Sequence, residues 1–215
     1  MIRTLQFLLL LTAFIATAQD EYDFDYTLEY EYVATGLPNH KLYVFVNSKD
    51  NTSRLNVWEE KDILVLKLSV VGRAYYNRML RENFFVESIA LRCPPSSIVK
   101  NEYRVKDYKV IKLQDTVINT QKLNHYILKP VNEKKIKRKQ LLIEHFIIAQ
   151  HPDFEAPSIS KTDPTYAIWE AYGKIPQGIM QQHYHADEAG NKVLATYLGQ
   201  VIKATKYISL YKSCR

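Results

Sequence analysis

Tyr22-Asp23-Phe24-Asp25-Tyr26-Thr27-Leu28-Glu29-Tyr30-Glu31-Tyr32 is the stretch that decides the fold. In an extended chain Tyr22, Phe24, Tyr26, Leu28, Tyr30 and Tyr32 point one way. Asp23, Asp25, Thr27, Glu29 and Glu31 point the other. Strict alternation over this length has one physical reading, a strand with one face on apolar matter and one in water. The rest of the chain shares the bias, being rich in tyrosine and β-branched residues and poor in glycine.

Toward the C-terminus the pattern repeats at a spacing of roughly ten residues, the signature of an antiparallel meander. Turn clusters at 36–39, 47–51 and 60–62 separate strands at 41–46 (KLYVFV), 55–59 and 63–71 (ILVLKLSVV). Tyr75, Tyr76, Met79 and Leu80 fall at helical spacing, which predicts a short helix over 73–81. Strands are expected again at 84–91, 103–113, 122–128 and 141–149. The lysine-rich 132–140 reads as a loop, and 151–164, with three prolines, as the longest irregular segment and the place for a lid. A long hairpin closes the chain, 178–186 and 192–211 around a turn at 187–191. The fold class expected is all-β and mainly antiparallel: a curved sheet or half-barrel of about nine to eleven strands with one or two short helices.

Residues 1–18 read as a secretory signal peptide: Arg3, the apolar run 5–15, and Ala16-Thr17-Ala18 before Gln19. Cleavage after Ala18 would leave 19–215 as a single β-rich domain, secreted or periplasmic. No later run is long and apolar enough to span a membrane. The formal charge is +6, but its distribution says more. Asp20 to Glu31 holds six acidic residues and no basic one, whereas 133–139 holds five basic against one acidic. Two solvated faces are the plain reading of such blocks. The basic run could also bind phosphates, although export argues against nucleic acid. Cys93 and Cys214 are the only cysteines. In an oxidising compartment a disulfide is the simplest use of them, with two free thiols as the alternative.

Few residues carry chemistry. His183, His185 and Asp187 lie on one face of the expected strand, and two imidazoles with a carboxylate suit zinc or a similar divalent ion. Asp187, however, falls where the hairpin turn begins, and a pair of surface histidines is the ordinary alternative. His125 and His145 sit within apolar strand candidates and read as core or rim residues. No G-x-S-x-G elbow, Walker loop, dinucleotide glycine motif or C-x-x-C is present, and no cofactor is called for. Asn51-Thr52-Ser53 is a formal glycosylation sequon. Tyr22, Phe24, Tyr26, Tyr30 and Tyr32 are the candidate ligand-binding residues, lining a cavity; an ordinary packed core is the alternative.

The order of these features resembles exported bacterial half-barrel proteins of the lipoprotein-localisation (LolA/LolB-like) type, in particular their uncharacterised secreted branch. The likeness is carried by the signal peptide, YDFDYTLEYEY, the KLYVFVNSKDN hairpin, HYILKP with its lysine-rich sequel, and the long terminal strand. It is architectural, spans most of 19–215 and transfers no single functional residue. The resemblance implies a carrier that holds acyl chains in the concave face of its sheet. The function expected is therefore non-covalent binding of a lipid-like ligand there. Docking of another envelope protein, without ligand, is the second reading. A metal-dependent enzyme using His183, His185 and Asp187 is the third.

Overall fold

The computed structural model describes residues 19–99 and 103–211. The signal-peptide reading of 1–18 and the Cys214 end of the expected disulfide lie outside them. Among the described residues, strands β1 (Gln19–Ala34), β2 (His40–Val46), β3 (Ser53–Glu60) and β4 (Ile63–Val70) form the predicted meander, and β5 (Arg73–Leu80) extends it. Helix α1 (Arg81–Phe84) and the short strands β6 (Ser88–Leu91) and β7 (Ser96–Ile98) follow. Then come β8 (Tyr108–Lys112), β9 (Thr116–Ile118), β10 (Gln121–Pro130), helix α2 (Glu133–Lys139) and β11 (Ile143–Ala149). Helix α3 (Tyr166–Tyr172), β12 (Ile179–Ala186) and β13 (Lys192–Tyr211) complete the order.

The strands belong to one open, curved, thirteen-stranded sheet in the order β7-β5-β4-β3-β2-β1-β13-β12-β11-β10-β8, with β6 beside β13 and β9 beside β10 off this path. The strand number exceeds the expected range because β5 is a strand where a helix was expected, and because β7 and β9 are three-residue strands too short for a sequence pattern to announce. All the pairings are antiparallel except β6, which lies parallel to β13 with Ile89 opposite Ile208. Among the described residues no helix is long and apolar enough to cross a membrane.

β1 and β13 form the spine. Their register slips between Phe24 and Tyr26, and again between Glu29 and Tyr30, each time with the additional residue on β13. The second slip falls at Gly199, where Glu29 faces Gln200 and Tyr30 faces Leu198. Bulges of this kind bend a strand and sharpen its twist, which is how a twenty-residue strand can follow a curved sheet.

The first slip marks a division of the aromatic stripe. Tyr22 and Phe24 pack with Phe45, Leu55, Leu66, Leu68, Phe84 and Ile208. Tyr26, Leu28 and Tyr30 pack instead with Val44, Phe154 and Ile179. A third cluster lies beneath α3, where fully buried Trp169 meets Phe146, Ile148, Tyr126 and Leu128. Two cores thus share β1. Lys206, itself buried, donates to the carbonyls of Phe84 and Val86, fixing the link from α1 to β6 against β13.

Three local expectations are corrected. Residues 73–80 are strand, not helix. Tyr75 and Met79 face the core beside β4, with Tyr75 opposite Leu68 and Met79 opposite Leu64. The basic stretch is helix α2, not a loop. Asn132 caps it by accepting from the Lys135 amide, Ile136 buries its one apolar side chain, and Gln140 ends it in a left-handed conformation. The strand expected over 84–91 begins only at Ser88, because Phe84 belongs to α1.

Candidate functional site

On one face of the sheet, loop 151–164 roofs a cavity of about 220 Å³. Leu28, Tyr30, Leu42 and Val46 form one wall; Phe146, Met180 and His183 form the other. Phe154 and Ile159 close it from the loop, and Asn51, Arg54 and Asn56 stand at a polar margin. Alternation places these groups together: Tyr30 faces Leu42, Leu28 faces Val44, and Val44 faces Asn56 across successive strands.

The roof is tied to the turn between β2 and β3. Amides of Glu155 and Ala156 both donate to the Ser48 carbonyl at 2.9 Å, and Lys161 N–H donates to Asn51 O at 2.9 Å. The Asn51 side-chain amide donates to Ile159 O at 2.8 Å, so the sequon asparagine is engaged in the strap. From below, the turn is held by the acidic face of β1. Asp25 accepts from Ser48 N at 2.7 Å, and Asp23 accepts from Asn47 Nδ2 at 2.8 Å. Glu29 pairs with Lys41 at 2.6 Å. The acidic block therefore works locally, and helix α2 makes its own pair, Lys129 with Glu133 at 3.0 Å.

Within the stripe the candidate ligand residues have unequal fates. Phe24 is 1% exposed within the other core, while Tyr22 and Tyr32 are half-buried. Tyr26 donates to Asp153 of the loop, and Tyr30 donates to the Met180 carbonyl at 2.9 Å. Both phenols are pushed up to about 12: Tyr26 chiefly by that bond to Asp153, Tyr30 chiefly by burial. Tyr30 alone of the five lines the cavity.

Beyond His183 the same face carries a polar cluster. His183 Nε2 lies 3.3 Å and His185 Nε2 3.7 Å from Glu144 Oε2, and Tyr103 OH donates to Glu144 Oε1 at 3.3 Å. His183 stacks on Phe146, ring centroids 4.7 Å apart. Burial pulls the His185 imidazole down, against the opposing charge of Glu144, and pushes the Tyr103 phenol up. Asp187 is not in this cluster. Its carboxylate accepts from Asn191 N at 2.8 Å and Asn191 Nδ2 at 2.9 Å, closing the β12–β13 turn. Glu144, which the sequence reading did not single out, stands there instead.

The chain is similar to MucB. The match covers 84% of this chain and 53% of MucB, at 8% identity and a TM-score of 0.44. A structure of the Pseudomonas aeruginosa MucA/MucB complex gives 7% identity and 0.41, over 84% of this chain and 51% of that one. A Vibrio parahaemolyticus domain described as an outer membrane lipoprotein-sorting protein gives 9% and 0.34, over 83% and 85%. The chain thus spans about half the length of MucB. No family model and no curated protein matches it.

On the opposite face of β10–β12, His125 and His145 meet. His145 stacks on Tyr184 at 4.3 Å, and its Nδ1 lies 3.0 Å from His125 Nε2. Burial lowers both imidazoles; for His145, to about 4, the charge of His125 adds to it. These are rim residues of the small Leu123–Ile147–Ala149 cluster.

Proposed function

We propose that the protein is an exported carrier that holds an apolar or amphipathic ligand against Leu28, Tyr30 and Leu42, beneath loop 151–164. The observation that carries this reading is the roofed cavity, with apolar walls and a polar margin that holds Arg54 together with Asp50 and Asp163. Its size limits the ligand. About 220 Å³ lies below the ~300–1,000 Å³ usual for a drug-sized molecule. It would take a short apolar segment, and a longer chain would require the loop straps to open. An anionic head group would meet Arg54, whose Nε donates to Asn56 Oδ1 at 3.2 Å.

Native mass spectrometry of the protein from its own host should show bound mass that denaturing extraction removes. With dodecanoic acid as probe, calorimetry should show saturable binding. Arg54→Glu should weaken it by about tenfold, or 1.4 kcal/mol, and Leu42→Glu should abolish it in a protein that still folds. No bound mass together with no heat of binding would sink the reading. A second reading, docking of an envelope protein, would then gain from Leu80, Phe85 and Val86, which are 50, 70 and 51% exposed around α1. Crosslinking the protein in its host would test it, and no adduct through this patch would dispose of it.

Export goes with the proposed pairing of Cys93 and Cys214. Leu91, two residues before Cys93, lies opposite Leu210 in the parallel β6–β13 pair. The intact mass should be short of the reduced value by two hydrogens, and reduction should lower stability by about 2–4 kcal/mol. A mass equal to that of the dithiol form would refute the bond.

A further inference from the structure

The geometry points to a binding site for one divalent transition-metal ion at Glu144, His183 and His185. The site stands apart from the carrier reading, since it needs no apolar ligand.

Its three donors converge because of the β11–β12 register. His185 sits opposite Glu144, and His183 opposite Phe146. Two residues apart on a strand, both imidazoles share the face of Glu144. One atom from each residue lies within 4.8 Å of the other two, and the two distances to Glu144 Oε2 are 3.3 and 3.7 Å. Ligand atoms bound about 2.0–2.1 Å from a tetrahedral ion stand about 3.3–3.4 Å apart, so a slight contraction would close the site around a metal.

The electrostatics ask for a cation. Glu144 is 7% exposed, and no lysine or arginine lies within ion-pair distance of it among the described residues; its contacts are two imidazoles and a phenol. Carboxylates removed from water are costly unless a positive charge or a full set of donors meets them. Tyr103 OH, on the far oxygen of Glu144, would orient the carboxylate as outer-shell donors do in metal sites.

Two nitrogens and one oxygen select for the zinc end of the first-row series over magnesium or calcium, which take oxygen ligands. Three protein ligands leave a coordination position open, as in metal sites that take up a further ligand. His183 also lines the cavity, so that open position would be reached from it.

The test is calorimetric titration of metal-stripped protein with Zn²⁺, without any organic ligand. One ion per chain is expected. His183→Ala and His185→Ala should each weaken binding by more than about 100-fold, the upper range for loss of even an outer-shell partner. Asp187→Asn and His145→Gln, outside the cluster, should bind as the unaltered protein does. Should either alanine variant fail to fold, histidine nitrogen NMR of the unaltered protein decides. Zn²⁺ should then shift the ring signals of His183 and His185 and leave those of His125 and His145. Absence of saturable binding, binding that survives both alanine changes, or shifts confined to His125 and His145 would each overturn the assignment.

Discussion

Trp169→Ala should destabilise the protein by about 3–5 kcal/mol, the usual cost of emptying a buried aromatic site. Trp169 is 0% exposed and sits edge-on to Phe146 at 5.1 Å and to Tyr126 at 5.6 Å. Helix α3 has seven residues and no side-chain cap from Thr165. A helix so short has no stability of its own, so packing of Trp169 and Ile168 against β10 and β11 is what holds it. Losing the indole would leave a void in the cluster and free α3 and the end of the loop before it. Denaturant unfolding is the measurement, and a loss under about 1 kcal/mol would show that α3 is held some other way.

A companion substitution separates volume from polarity. The Trp169 indole N–H is buried and has no acceptor among the described residues, which carries a desolvation penalty. Trp169→Phe keeps an aromatic ring against Phe146 and removes that orphan. Its cost should therefore stay below about 1.5 kcal/mol, far from that of the alanine variant.

How far the sequence foretells this depends on burial geometry. β1 is legible because its acidic side chains stay toward the surface, so the period of two survives for eleven residues. Tyr75, Tyr76, Met79 and Leu80 mislead because the same spacings satisfy both periods: 75 and 79 share a strand face, as do 76 and 80. Pairing with β4 decides between them, and that partner is not a local property. Helix α2 hides behind its lysines, since only Ile136 marks a buried face, although Asn132 was a readable cap. The division of the tyrosine stripe depends on where β13 bulges. Glu144 escaped for the same kind of reason. His183 and His185 name themselves by spacing, but their acidic neighbour comes from a strand about forty residues earlier through a register that no local pattern prints. Asp187, two residues further along, looked equivalent until the turn claimed its carboxylate.

Gly178→Ala should cost at least about 3 kcal/mol, more than strain at one positive-φ residue, which is worth about 1–3 kcal/mol. Gly178 has φ +115°, and a Cβ there would lie 2.0 Å from the Ala149 carbonyl oxygen and 3.0 Å from its carbon. Both are backbone atoms of β11, so no rotamer change relieves the overlap. Relief requires β12 to move off β11 at its first pair, Ile179 with Ala149. That pair borders the cavity, and the roof leans on the same place through Ser158, whose N–H and hydroxyl donate to Pro176 O at 2.9 and 2.8 Å. Gly190→Ala supplies the comparison. Its φ is also positive, at +86°, but nothing lies within 4 Å of where its Cβ would be. Strain alone should act there, so thermal melts should separate the two variants widely. Equal losses would mean that β12 yields without penalty at its start, and that the cavity wall is looser than its hydrogen bonds indicate.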